Sequence, residues 1–361
     1  MFSGDIQKQR VRAGGWSVSE AGKKEIAQWD DLLNDNVPFT QTREFAEVKR
    51  RFHWTPRFVI ARKPPEQIKI VILERKIPFL GVLWYIPCGP TPTKSADFEG
   101  LMKALGSYGE MHDVFLIKTE PLYIRREGQD MLSGISNLEA RTPVQPPNTL
   151  LVETSTDAEF ATLGRRARRY ARQARAEGVI VKEAPVLDLY CETMYNLMQT
   201  ANGGKGVPGQ QSYEYYAYFW KKFHEFGTGS LFFAYEGSDV VAGAYIIKRG
   251  KTVVYKDGGS TAQRTSSGAT YYLHAEIMRR YASEGFKIYD MWGMPPISSM
   301  NDRTHPLFGI GQFKLAFSKD IIEHAGCYEY TLKPLAVRFW RIVGYRVFIR
   351  LNHWRGMGNF W

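Results

Sequence analysis

The chain has 361 residues and a formal net charge of +11, a length that suits two domains and a charge that calls for an anionic partner: nucleic acid, acidic lipid or a phosphorylated substrate. No apolar run of about 18 residues is present to span a membrane, and the opening MFSGDIQKQRVRAGG lacks the apolar centre of a signal peptide. Cys88, Cys191 and Cys327 have neither metal-ligand spacing nor the look of a disulfide framework, so a reducing cytoplasm is the expected setting.

In chain order, residues 57–61 read as strand, 63–66 (KPPE) as turn, 68–73 and 80–86 as two further strands, 97–108 as helix and 114–118 as a buried strand. PVQPPN at 143–148 reads as an interdomain connection, and 157–178 opens the second half as one or two helices. Strand 231–235, turn 237–239 (GSD), strands 240–247 and 252–256, a long helix over 267–284 and strand 287–292 follow. Each half therefore repeats β-β-β-α-β, which predicts a duplicated α/β (α+β) chain. Three antiparallel strands, then a helix returning to a buried strand, is the core pattern of the acetyltransferase-like (GNAT) fold. The expectation is two tandem GNAT-like domains, with mixed, mostly antiparallel sheets flanked by helices. Their expected limits are 1–150 and 151–331, followed by a basic aromatic segment, 332–361.

Two stretches carry the positive charge. TLGRRARRYARQARAEG at 162–178 places Arg165, Arg166, Arg168, Arg169, Arg172 and Arg175 around a helix whose Leu163, Ala167, Tyr170, Ala171 and Ala174 form one packing stripe. No acid intervenes before Glu177, and unpaired arginines repel one another, so the helix reads as a polyanion binder, RNA phosphate first, rather than a merely solvated face. Segment 332–361 interleaves Arg338, Arg341, Arg346 and Arg350 with Phe339, Trp340, Tyr345 and Phe348 and contains no acid. It is either a terminal helix docked on the core or an interfacial segment on an anionic membrane leaflet.

No nucleophile elbow, phosphate-binding P-loop or paired-histidine metal motif is present. GGKG at 203–206 reads as a mobile loop. GGS at 258–260 ends a strand and places backbone N–H groups where they can meet an anion, or is a plain turn. Phe313-Lys314 follows the strand that ends YDMWG at 289–293, and a lysine held beside an aromatic ring suits an anionic group or a developing oxyanion.

Six segments in order resemble the FemABX family of aminoacyl-tRNA-dependent peptidyltransferases: QTREFAEVK at 41–49, YIPCGP at 85–90, the basic helix running into GVIV at 178–181, VYKDGGS at 254–260, YDMWG at 289–293, and Phe313-Lys314 followed by Phe317. The resemblance covers roughly 39–334. It implies transfer of an amino acid from charged tRNA to the stem peptide of a peptidoglycan precursor, UDP-MurNAc-peptide or lipid II, with no cofactor and no metal, because the ester is already activated. It implies Lys314 as the catalytic lysine, with Phe313 beside the terminal adenosine or the ester. Lys49, Tyr85, Lys205, Tyr255 and Asp290 would line the precursor's channel. Arg165, Arg168, Arg169 and Arg172 would hold tRNA. The chain is expected to act as a cytoplasmic monomer, with peripheral contact on the inner face of the plasma membrane through 332–361.

Departures from the family pattern qualify these roles. Thr93 stands where an Asp is common, which weakens a general base there and favours substrate-assisted proton transfer. Lys205 stands near where a diphosphate-binding Arg is usual, and Asp257 replaces a second Tyr. Two rival readings remain. One is an acyl-CoA-dependent N-acyltransferase, for which QRTSSGA at 263–269 is a partial loop match. The other is a non-catalytic RNA- or membrane-binding protein.

Overall fold

The computed structural model describes residues 10–31, 37–125, 131–201, 211–261, 266, 268–354 and 360–361. The chain divides into two compact units: Met1–Leu33 with Thr40–Gln145 and His324–Trp361, and Asn34–Phe39 with Pro146–Glu323.

Among the described residues the first unit's sheet has eight strands, in the order Arg10–Ala13, Trp16–Glu20, Thr55–Lys63, Glu66–Ile77, Gly81–Ile86, Val114–Thr119, Cys327–Thr331, Leu138–Arg141. Ile70, Val71, Ile72 and Leu73 are all fully buried, so this run is covered on both faces and reads as a continuous apolar stretch. Gly81–Ile86 and Val114–Thr119 pair in parallel, and the other neighbours pair antiparallel. A parallel pair needs a crossover, which helix Phe98–Glu110 supplies by burying Phe98, Leu101, Met102, Leu105 and Tyr108 at helical spacing. Gly109 lets this helix approach the sheet: an added Cβ would sit 3.2 Å from Val114 and 3.3 Å from the Trp84 ring.

The second unit repeats the plan. Its seven described strands run Asp320–Glu323, Asn148–Glu153, Ile288–Asp290, Thr252–Ser260, Asp239–Arg249, Gly229–Glu236, Ile180–Ala184. The parallel pair is Thr252–Ser260 with Ile288–Asp290, bridged by helix Ala269–Ser283, which buries Leu273, Ile277 and Tyr281. Helix Arg165–Ala176 packs on the same core through the fully buried Ala167, Ala171 and Ala174, small residues that let two helices come close.

The β-β-β-α-β order thus stands in both units. Three details differ from expectation. The strand read at 287–292 stops at Asp290, because Trp292 and Gly293 both take left-handed backbone, with φ of 46° and 44°. Residues 157–164 form turns, and one helix begins only at Arg165. The units are interleaved in sequence where linear blocks were expected: Cys327–Thr331 pairs with Val114–Thr119 and Leu138–Arg141, so the chain from His324 onward is part of the first unit. Within that unit, residues 334–354 form helices Pro334–Phe339 and Tyr345–Trp354 joined by a π-turn at Trp340–Gly344. Trp340 is buried against Phe115, with ring centroids 6.1 Å apart.

Candidate active site around Lys314

Helix Phe308–Lys314 ends on the lysine, which its fold buries: Lys314 is 6% exposed. The Nζ donates to the carbonyl of Gly293 at 2.7 Å and to that of Trp292, and lies 5.5 Å from the Tyr255 ring centroid. The left-handed turn after Asp290 makes this possible, because it brings two successive carbonyls to one amine. An aromatic residue in left-handed backbone is strained, so the site holds Trp292 there against its preference. An ammonium has three hydrogens to give. The two carbonyls take two, and no third acceptor is found among the described residues.

Asp290 closes the other side. Its Oδ1 accepts from the Thr149 hydroxyl and from Trp292 N at 2.7 Å. Burial pushes this carboxyl up, while those two donors and the lysine pull it back. Burial pulls Lys314 down from 10.5 to about 7, with the Asp290 charge opposing the shift. At neutral pH the amine therefore offers either one proton or one lone pair.

Behind the lysine lies a ring cluster. His274 is fully buried, 4.3 Å from Tyr255 between ring centroids and 5.6 Å from Phe313. Its Nδ1 meets Tyr289 Oη at 2.7 Å, and its Nε2 has no partner among the described residues. Burial, then the Lys314 charge, lowers this imidazole to about 3, so it is neutral. Gly258 makes room for the Tyr255 hydroxyl, since a Cβ there would lie 1.8 Å from that oxygen. Phe313, Tyr255, Asp290, Trp292 and Gly293 are half-buried, so the lysine sits beneath a partly exposed rim. A row of rings leads away from it: Phe313 to Tyr271 at 5.1 Å, Tyr271 stacked on Tyr170 at 5.2 Å, and the Arg169 guanidinium 4.7 Å from Tyr170.

The structure thus brings together four expected residues: Lys314, Phe313, Tyr255 and Asp290. The arginine helix joins them only through that row of rings. Arg165, Arg169 and Arg172 are exposed and Arg168 is half-buried. The expectation of unpaired arginines is corrected. Glu159, in the preceding turn, bonds Arg172 at 3.1 Å and Arg175 at 2.8 Å, and Arg168 donates to Ala161 O at 3.1 Å. Arg165 and Arg166 have no partner among the described residues.

Lys49 and Tyr85 belong to the first unit. Lys49 is buried in helix Arg43–Arg51, its Nζ 5.4 Å from the Phe45 ring centroid. Tyr85, also expected at the substrate, is 1% exposed and donates to Glu120 Oε2 at 2.6 Å. Asp257 is likewise buried, accepting from Trp220 Nε1 and Lys256 Nζ, each at 2.9 Å. Lys205 and most of the loop 263–269 lie outside the described residues. Sequence reasoning missed Thr149, His274 and the two carbonyls. Only the adjacent Tyr289-Asp290 pair pointed toward them, since Thr149 reaches Asp290 through strand pairing across the sheet.

Residues 228–344 match the FemAB family. No curated protein matches the chain by sequence. Among solved structures, the crystal structure of FemX superposes with a TM-score of 0.72 at 17% identity, covering 91% of this chain and 99% of that one. A conserved protein of unknown function from Bacteroides thetaiotaomicron VPI-5482 gives 0.55 at 11% identity, over 88% of this chain and 99% of that one. At these identities the likeness is one of fold, a mixed α/β architecture with two mostly antiparallel sheets flanked by helices. The FemAB match takes in the strand, helix and lysine of the site just described.

Proposed function

We propose that the protein is an aminoacyltransferase that moves an amino acid from aminoacyl-tRNA to the stem-peptide amine of a peptidoglycan precursor, UDP-MurNAc-peptide or lipid II. The FemAB match over residues 228–344 and the fold shared with FemX support a transferase of cross-bridge synthesis, and the tRNA donor is our finer reading. The observation that carries it is Lys314: a buried amine near pH 7 that keeps one proton or one lone pair for a reactant after its two carbonyl bonds.

In the reaction the acceptor nitrogen attacks the ester carbonyl and a C–N bond forms. The ester C–O bond then breaks, and the tRNA 3′ oxygen leaves with a proton from the attacking amine. As ammonium, Lys314 donates its third hydrogen to the tetrahedral oxyanion, a preformed charge in a dry site. As neutral amine, it takes the acceptor's proton. Phe313 offers its exposed face to the terminal adenine, and the ring row leads on to Arg169 and the unpartnered Arg165 for the phosphates. Lys49 and Lys205 are proposed contacts to the precursor's diphosphate. The protein would act as a monomer in the cytoplasm, at the inner face of the plasma membrane.

The test is transfer of label from a charged tRNA mixture to soluble or lipid-linked precursor. Label on either muropeptide supports the proposal. tRNA binding without transfer would favour a non-catalytic binder, and neither would favour an acyl-CoA donor.

A further inference from the structure

The helices over 334–351 are apolar on more than one side, and the structure separates the sides. Val337 and Trp340 are buried against the first unit. On the outer side Leu335 is 83% exposed, Phe339 54%, Ile342 60% and Val347 46%, with Val343 and Leu351 also exposed. A helix apolar all round is normally covered all round, and single exposed apolar residues mean little, but six on one short segment form a patch. Arg338, Arg346 and Arg350 are exposed among them, with no partner among the described residues. No acidic residue occurs anywhere in 332–361.

We infer that this outer face docks in the plane of an anionic bilayer. The apolar side chains would enter the acyl boundary while the arginines meet the headgroups, an arrangement that needs both parts to hold. The charge selects this occupant: a purely apolar partner would leave three guanidiniums buried without counter-charge. Among the described residues no helix is long and apolar enough to cross a membrane, so the contact is in-plane. The inference stands on the surface alone and does not need the transfer chemistry.

Flotation of the full chain with vesicles tests it, without substrates. With phosphatidylglycerol–phosphatidylcholine vesicles the protein is expected to float, and added salt to release it. The Phe339→Ser/Ile342→Ser/Val347→Ser variant should lose binding, and the Arg338→Gln/Arg346→Gln/Arg350→Gln variant should bind about 100-fold more weakly, at about fivefold per arginine. All six positions are exposed, so thermal unfolding should be unchanged, and label transfer to soluble precursor should be unaffected by either variant. Protein left in the supernatant with anionic vesicles, or binding untouched by both variants, overturns the inference. So does dimerisation abolished by the apolar variant, which would assign the face to a second copy.

Discussion

The two units set a carboxylate at the same place in the same topology, at the end of the strand that follows the crossover helix. In the first unit Glu120 takes the Tyr85 hydroxyl at 2.6 Å and the backbone N–H groups of Val144 and Gln145 at 2.6 and 3.1 Å. In the second, Asp290 takes one hydroxyl and one N–H, and the nearby charge is Lys314. Their lysines differ as well. Lys118 is 3.6 Å from the Glu329 carboxylate, which also holds Arg141 and Arg341. Lys314 is bonded to carbonyls alone. One end of the duplicated fold is saturated and serves structure. The other leaves a buried cation with donor capacity to spare, and that is where chemistry can be built.

The largest test of this contrast is Lys314→Met against Lys118→Met. The first should cut single-turnover transfer about 100- to 1,000-fold, the usual loss when a preformed oxyanion donor is removed, with folding intact by circular dichroism. The second should leave the rate near normal and cost about 1–3 kcal/mol of stability, because Glu329 keeps its arginines. Equal losses of rate would break the contrast. Next comes pH. Lys314 has its proton affinity lowered by folding, from 10.5 to about 7, so the unfolded chain binds more protons in that window. Stability should therefore rise from pH 7 to 10.5, and denaturant titrations of Lys314→Met should lose that rise.

Glu120→Ala sharpens the structural side. It strands the Tyr85 hydroxyl and two N–H groups, and should cost about 3 kcal/mol in unfolding free energy without changing the pH profile of transfer. The smallest effect is expected from Gly258→Ala, whose Cβ displaces the Tyr255 hydroxyl and so moves the ring over Lys314. Transfer should fall about tenfold, measured beside an unchanged melting temperature.

The repeated plan was legible because its strands are long and apolar, such as Glu66–Ile77 and Asp239–Arg249, and its crossover helices carry clear periodicity. Short strands such as Leu138–Arg141, which is mostly exposed, leave no such pattern. Phe313, Lys314, Tyr255 and Asp290 were readable together only through motif order, since nothing local marks Lys314 as buried. What holds it there is a backbone turn at Trp292-Gly293 and a threonine on the neighbouring strand, far off in sequence, and neither leaves a trace in composition. Glu159 shows the same limit from the other side: its pairing with Arg172 and Arg175 depends on a turn folding back on the helix.

The strand Cys327–Thr331 has a consequence for how the protein is made. Val114–Thr119 and Leu138–Arg141 leave the ribosome before the second unit, yet they meet only through a strand synthesised after it. Until then Val114–Thr119 presents an open, apolar edge, the kind of surface that pairs with other chains. The nascent first unit must wait in that state while the whole second unit is translated, so early release or a stalled ribosome yields a sticky half-sheet rather than a smaller working domain.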